Sequence, residues 1–175
     1  MIYLGIGSSI GKAEEIFDSA EKFLKEQGVL VTKKSEIMKN APIGGVAKNE
    51  FSNAVWEVKL DWHFCETVWH RTFPRFFGVF PKLRIIHIAK KLLKILKSCE
   101  TAHGRDLNAE KWSDRPLDLD ILMFCDLVLD EKNLKIPHPE ISNRDFVLKP
   151  WMEIIDKDFE IPKIGKLQNL IKKLL

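Results

Sequence analysis

The stretch Leu117-Asp118-Leu119-Asp120-Ile121 carries two carboxylates two residues apart within an apolar run. Side chains alternate along a strand, so Asp118 and Asp120 share one face while Leu117, Leu119 and Ile121 turn to the core. At about 3.3 Å per residue, the carboxylates lie roughly 6–7 Å apart along the strand. Like charges so placed repel unless a cation lies between them, or unless Lys and Arg pair with them on an exposed face. Carboxylate oxygens without histidine or thiolate neighbours suit a hard ion, and magnesium is the expectation. Two such ions about 3.5–4 Å apart would form a phosphoryl-transfer arrangement.

The preceding segment favours the metal alternative. Glu100, Arg105, Lys111, Trp112 and Arg115 all fall within 20 residues of the aspartates. Residues 81–115 carry nine Lys and Arg against four acids, a local +5 in a chain whose net charge is +3. Phosphate is the anion such a segment would meet, from a nucleotide or from a nucleic acid. A long charged loop also suits a lid over substrate. Downstream, Pro137-His138-Pro139 holds a histidine in stiff backbone, and Asn143-Arg144-Asp145-Phe146 follows; a lone histidine is more often structural, but paired with an arginine it makes His138 and Arg144 candidates for phosphate contact.

Gly5-Ile6-Gly7-Ser8-Ser9-Ile10-Gly11 follows an apolar run but matches no nucleotide fingerprint. Its spacing is one residue too long for a dinucleotide turn. As a P-loop it fails because Ala13, after Gly11-Lys12, has no hydroxyl for magnesium. It reads as a tight strand-to-helix turn.

The elements that must hold these residues follow from periodicity. Residues 2–6 read as a strand, 12–27 as a helix with apolar Ala13, Ile16, Phe17, Ala20, Phe23 and Leu24, and Gly28 as its C′ residue. A second strand runs from Val29 toward Met38, a loop occupies 39–50, and a third strand spans Phe51 to Leu60. A helix over 85–96, a polar loop over 101–116 and a strand over 117–124 come next. Short strands flank a turn at 130–133, and 165–175 is an amphipathic helix. The order strand–helix–strand–strand–helix–strand predicts an α+β, ferredoxin-like (βαββαβ) antiparallel sheet, with its helices on one face and C-terminal additions. At 175 residues, 45% hydrophobic and 30% charged, the chain is expected to form a single domain over 1–175, neither disordered nor membrane-spanning. Three widely spaced cysteines, Cys65, Cys99 and Cys125, with no leader-like start, predict reduced thiols and a cytoplasmic protein.

These motifs together resemble the 6-hydroxymethyl-7,8-dihydropterin pyrophosphokinase (HPPK) family of folate biosynthesis. The likeness rests on Gly7-Ser8-Ser9-Ile10-Gly11, Pro42-Ile43-Gly44 and Phe51-Ser52-Asn53-Ala54-Val55. It continues through Gly104-Arg105, Trp112 and Arg115-Pro116-Leu117-Asp118-Leu119-Asp120-Ile121-Leu122 to Ile136-Pro137-His138-Pro139 and Arg144-Asp145-Phe146-Val147-Leu148. The resemblance implies pyrophosphate transfer from ATP to the pterin's hydroxymethyl group, with release of AMP. It implies two Mg2+ ions on Asp118 and Asp120, and ATP contacts from Glu100, Arg105, Lys111, Trp112, Arg115, Ile121, His138 and Arg144. Asn53 would read the pterin edge, Phe51 and Phe146 would sandwich its ring, and Pro42 and Ile43 would border it. Arg105, Arg115, Asp118 and Asp120 are the catalytic set that it implies. No general base is assigned.

Three positions depart from the family pattern. Leu107 stands where a second arginine is usual, Ser113-Asp114 replaces Gly-Pro, and Asn40-Ala41-Pro42 replaces Thr-x-Pro. Residues 61–86 form an aromatic-rich insertion, with seven of the 17 Phe, Trp and Tyr residues between 62 and 80. An extra helix packed on the body, a second lid, a membrane-surface contact and an interface with another chain all fit it. Two rival functions stand beside the enzyme: a catalytically weakened relative that only binds, and an RNA-binding ferredoxin-like module. The Gly-Phe signature of the latter is missing from the strands, so nucleic acid is not an expected partner.

Overall fold

The computed structural model describes residues 1–42, 46–62, 64, 81–106, 109–110, 113–156 and 158–174. Ile43, Lys111, Trp112, Leu107, Cys65 and most of the 61–86 insertion lie outside the described residues. The chain is an α+β protein. Its main sheet is antiparallel, built from β1 (Ile2–Ser8), β2 (Val29–Lys34), β3 (Met38–Asn40), β4 (Phe51–Leu60) and β5 (Asp118–Phe124). The strands run in the order β2-β4-β1-β5, with β3 pairing farther along β4.

Alternation along these strands sorts their side chains onto two faces. Leu4 and Ile6 of β1, Ala54, Trp56 and Val58 of β4, and Leu119 and Ile121 of β5 join one apolar cluster. Against them pack α1 (Ala13–Glu26) and α2 (Pro81–Ala102). Each offers one apolar stripe: Ala13, Phe17, Ala20 and Leu24 from α1, and Ala89, Leu92, Leu96 and Cys99 from α2. On the other face Tyr3, Val55, Leu122 and Met123 meet Ile141, Val147, Leu148, Trp151 and Leu167. These come from a 3-10 turn (Ile141–Asn143), α3 (Asp145–Ile154) and α4 (Leu167–Leu174). Leu122 and Met123 point to the same face because the β1–β5 register shifts between Tyr3 and Leu4, a bulge that also increases twist.

Several expectations change in detail. The strand predicted from Val29 toward Met38 is divided, because Ser35 substitutes its hydroxyl for a backbone acceptor. Val55 N–H donates to Ser35 Oγ at 2.9 Å, while Ser35 N–H donates to the Val55 carbonyl at 3.0 Å. The helix predicted over 85–96 runs from 81 to 102. The final helix starts at Leu167, since Gly165–Lys166 pairs with Glu160–Ile161 as a short hairpin, β8 and β9. The turn at 130–133 is flanked as expected by β6 (Leu129–Glu131) and β7 (Leu134–Ile136). Helix α3 was not expected: Pro150 lies inside it, and proline cannot donate to the Phe146 carbonyl four residues back. Of the insertion's aromatics, Phe64 is buried in the first cluster with the Lys91 ammonium 3.9 Å from its ring centre, whereas Trp62 is exposed.

A polar knot ties the second face together. Buried Glu57 accepts hydrogen bonds from Tyr3 Oη (3.2 Å) and Thr32 Oγ1 (3.0 Å), and Lys33 Nζ lies 3.5 Å away. Lys33 also donates to the Ile154 carbonyl at the end of α3 (3.1 Å). Burial alone would raise the Glu57 carboxyl pKa, but the Thr32 hydroxyl, the Lys33 ammonium and the Tyr3 phenol outweigh it and hold it low. A depressed folded-state pKa contributes stability that is present above the unfolded value and lost as pH falls through the folded one. Glu57→Gln is expected to reduce unfolding free energy in urea by about 1–2 kcal/mol at neutral pH. The gap to wild type should close as pH drops below the ordinary glutamate value of 4.5. A gap independent of pH would show that the charge contributes nothing.

Burial and the neighbouring Glu100 push the Cys99 thiol up to about 12, while Cys125 is exposed. Thiolate is the reactive form, so peptide mapping after brief alkylation of native protein near pH 8 should find Cys125 modified and Cys99 protected. Modification of Cys99 at a comparable rate would contradict this packing.

Candidate active site

The floor of the site is bare backbone. Gly7 lies between Asn53 of β4 and Asp118 of β5, and Gly5 lies between Val55 and Asp120. Gly5 lies in the strand as expected, whereas Gly7 belongs to β1, which runs to Ser8, rather than to the following turn. A Cβ on Gly7 would stand 2.9 Å from Asn53 Oδ1, and one on Gly5 would stand 3.3 Å from Leu122 Cδ2. The missing side chains leave a cavity of about 260 Å³, lined by residues of β1, β4 and β5, the ends of α2 and β3, and the start of α3. A wider depression of about 490 Å³ near Lys163 and Lys173 has no carboxylate in its lining.

One wall is built by the end of α2. Arg105 N–H donates to the Glu100 carbonyl and Gly104 N–H to that of Thr101, both at 3.0 Å. This is a Schellman closure, and Gly104 supplies the left-handed residue it needs at φ 85°. The closure sets Glu100 and Arg105 side by side. Glu100, fully buried, accepts from Leu119 N–H and Lys97 Nζ through Oε1, both at 2.7 Å. Arg105 Nη1 lies 2.7 Å from Glu100 Oε2, a charge contact rather than an aligned hydrogen bond. Burial pushes the Glu100 carboxyl pKa up, against the pull of Lys97 and the Leu119 amide.

Asp118 and Asp120 face the same cavity, as alternation requires. Arg105 Nη1 donates to Asp118 Oδ1 at 2.5 Å, and Arg115 Nη1 lies 3.3 Å from Oδ2. Burial would raise the Asp118 pKa, but Arg115, Arg105 and Lys97 overcome it and keep the carboxyl low. Asp120 is less closely held: Lys97 Nζ is 3.9 Å away and His138 Nε2 is 3.8 Å away. His138 is fixed by its backbone N–H, which donates to the Leu122 carbonyl at 2.9 Å. Its Nδ1 accepts from Glu140 N–H at 3.2 Å, which places the proton of the neutral ring on Nε2, toward Asp120. Burial lowers its pKa, with Arg144 acting in the same direction against Asp120.

The opposite wall is aromatic. Phe51 and Phe146 both line the cavity. Each has a guanidinium beside its ring at 5.8 Å, Arg115 over Phe51 and Arg144 over Phe146. Asn53 Nδ2 donates to Asn40 Oδ1. Ser9 and Arg115 bond reciprocally through their backbones and the Ser9 hydroxyl, tying the β1 turn to the segment entering β5. Arg115 Nε is buried and finds no acceptor among the described residues.

Of the residues singled out from sequence, the cavity therefore gathers Phe51, Asn53, Arg105, Arg115, Asp118, Asp120, Arg144 and Phe146 along its lining. Glu100 stands behind Arg105, and His138 stands beside Asp120. Ile121 is 4% exposed and turned into the apolar cluster, so only its backbone runs beside the site. Pro42 is partly exposed and outside the cavity lining. Ile43, Lys111 and Trp112 are not described. Lys97, Asn40 and the two floor glycines were missed. Lys97 reads as one more cation on a basic amphipathic helix, and its position one helical turn before Glu100 was the available signal.

Among the described residues no group of three or more His, Cys, Asp and Glu has metal-site geometry. Two carboxylates sharing one cavity with cationic side chains nonetheless fit a magnesium ion, which commonly takes one or two carboxylates and completes its shell with water and substrate phosphates. No helix among the described residues is long and apolar enough to cross a membrane.

The 7,8-dihydro-6-hydroxymethylpterin-pyrophosphokinase (HPPK) family model matches residues 62–156. The bifunctional protein FolKE of Lactococcus lactis subsp. lactis is 31% identical over 159 residues, 90% of this chain and 38% of that protein. The folate synthesis bifunctional protein of Arabidopsis thaliana is 28% identical over 166 residues, 93% of this chain and 29% of that protein. The 2-amino-4-hydroxy-6-hydroxymethyldihydropteridine pyrophosphokinase of Haemophilus influenzae is 25% identical over 172 residues, 98% of this chain and 91% of that protein. The chain thus spans well under half of the two bifunctional relatives and most of the third.

Gly7→Ala should fold, because the near atom is the end of a side chain, but it must displace the Asn53 amide from Asn40. The expected result is a circular dichroism spectrum like that of wild type, with shifted side-chain amide resonances for Asn53 and Asn40 in nitrogen-edited NMR. Unmoved resonances would mean that the floor tolerates a methyl group.

Proposed function

The chain belongs to the 7,8-dihydro-6-hydroxymethylpterin-pyrophosphokinase family, and we propose that it transfers pyrophosphate from ATP to 6-hydroxymethyl-7,8-dihydropterin in folate biosynthesis. One observation carries the reading: a single cavity joins two strand-borne aspartates and four cations to two phenylalanines and two asparagine amides. A flat heterocycle gains from ring contacts on its faces, and an amide can both donate to and accept from its edge. Phe51, Phe146 and Asn53 take these roles.

Arg105, Arg115, Lys97, His138 and Arg144 surround the place where a polyphosphate would lie, and Arg115 Nε offers a donor with no acceptor among the described residues. Lys111, Trp112, Glu100 and the Ile121 backbone complete the ATP side. Asp118 and Asp120 would hold magnesium, and we read two ions there. Bound metal would neutralise the polyphosphate and increase the electrophilicity of the β-phosphorus. The hydroxymethyl oxygen attacks the β-phosphorus, the bond from that phosphorus to the α–β bridging oxygen breaks, AMP leaves, and the hydroxyl proton is lost. Such a transfer depends on alignment and charge stabilisation rather than on a protein nucleophile. Arg105 and Arg115 hold the transferring group, and Lys97 adds a further cation on the Asp120 side.

The strand order and the two early helices on one face support a ferredoxin-like arrangement, with the β6–β7 hairpin added on the helix-bearing face and the 3-10 turn, α3 and α4 added on the other. We read residues 1–175 as one domain of this kind in the cytoplasm, and the 61–86 insertion as a separate elaboration.

Purified protein should release AMP from ATP only with both Mg2+ and the pterin present. Asp118→Ala and Asp120→Ala should each lower kcat by about 10²–10³-fold, and Phe146→Ala should raise the pterin KM by roughly tenfold with a smaller effect on the ATP KM. AMP release indifferent to pterin, or undiminished in both aspartate variants, would refute the assignment.

A further inference from the structure

The segment entering β4 is poorly anchored by apolar contacts. Over residues 46–50 only Ala47 is buried, and Val46, Lys48, Asn49 and Glu50 are exposed. Its position is set instead by one side chain 65 residues away. Asp114 accepts the Lys48 N–H through Oδ2 at 3.0 Å and the Asn49 N–H through Oδ1 at 3.2 Å. Two consecutive backbone donors on the two oxygens of one carboxylate fix direction as well as distance.

The other end of this link is equally constrained. Arg115, the next residue, donates its N–H to Ser9 Oγ at 2.9 Å, and its carbonyl accepts the Ser9 N–H at 3.0 Å. Asp114 is therefore held against the β1 turn, and the 46–50 segment is held against Asp114. Two residues after Asn49 comes Phe51, and Arg115 lies both 5.8 Å from the Phe51 ring and 3.3 Å from Asp118. The aromatic wall and the charged wall thus meet through one residue pair.

We propose that Asp114 is a positioning residue, strapping the segment that enters β4 to the segment that enters β5 so that Phe51 and Arg115 stand at their working separation before either substrate binds. The inference rests on reading the cavity as a pterin and polyphosphate site. Both acceptors belong to one side chain, so the strap depends on the residue type at position 114. Preorganisation lowers the ordering entropy lost on binding. Its loss falls on the ligand that touches the strapped wall: the pterin.

The test combines amide exchange with steady-state kinetics on full-length wild type, Asp114→Asn and Asp114→Ala. In the ligand-free wild type, the Lys48 and Asn49 amides should exchange more slowly than their exposed neighbours. Asp114→Ala should remove both protections, while Asp114→Asn keeps one acceptor oxygen and should lose only one. The pterin KM should rise by about tenfold in Asp114→Ala and about threefold in Asp114→Asn, in line with lost preorganisation. kcat at saturating pterin, the ATP KM and the thermal midpoint should stay close to wild type. Unprotected amides in wild type would overturn the strap. An unchanged pterin KM in Asp114→Ala, in protein whose wild type is active, would overturn its positioning role alone. Should wild type neither bind pterin nor release AMP with it, the functional reading fails, and this inference with it. The Asp114→Asn arm decides the matter if Asp114→Ala does not fold.

Discussion

Three carboxylates, those of Glu100, Asp118 and Asp120, converge on one end of the sheet, and a fold can hold them there only by interleaving cations. Arg105 stands between Glu100 and Asp118, Arg115 reaches the other oxygen of Asp118, and Lys97 bridges toward Asp120. Removing one member would leave the others uncompensated in a partly desolvated place, where an unpaired charge is costly. The termination of α2 answers this requirement. Its closing turn hydrogen-bonds the backbone of Arg105 to that of Glu100, so the helix ends where the guanidinium is needed. A polyanion entering the cavity meets donors that are already oriented, and it competes with Asp118 for them.

The sheet divides the remaining work by face. One face is apolar throughout and carries α1 and α2. The other is split along its length: near Tyr3 and Glu57 it is sealed by α3 and α4, and near Gly5 and Gly7 it is open. The sealed half fixes α3 through Lys33 and the Ile154 carbonyl, and the same helix presents Phe146 at its opposite end. Packing on the closed half thereby sets where the aromatic wall stands over the open half. The polar knot around Glu57 is buried, yet each of its carboxylate oxygens has a partner, as burial of such a group requires.

The parts legible in the sequence were those governed by period. Alternation put Asp118 and Asp120 on one face, the helical repeat of Phe17, Ala20 and Leu24 located α1, and the Phe51–Leu60 strand was found at its true ends. Where a local rule was broken, the reading failed. Pro150 concealed α3, Ser35 divided a strand by replacing a backbone acceptor with its hydroxyl, and Gly165 opened the second strand of a hairpin rather than a helix. Within the site, acids and arginines announced themselves by type, whereas Lys97 was one lysine among many. Gly5 and Gly7 were weighed as nucleotide-loop glycines. Their role lies in side chains they lack, opposite strands whose register no single-sequence pattern reveals.

That bare floor has an evolutionary corollary. A surface of backbone alone presents the same groups whatever residues surround it, and almost any replacement on it fills the hollow with the substituent itself. Selectivity for what enters must then be inscribed elsewhere, on side chains drawn from β4, α2, β5 and α3. Each of those segments can drift separately. A scaffold of this kind can retune its guest by altering the surroundings, while the strip beneath has no side chain to exchange.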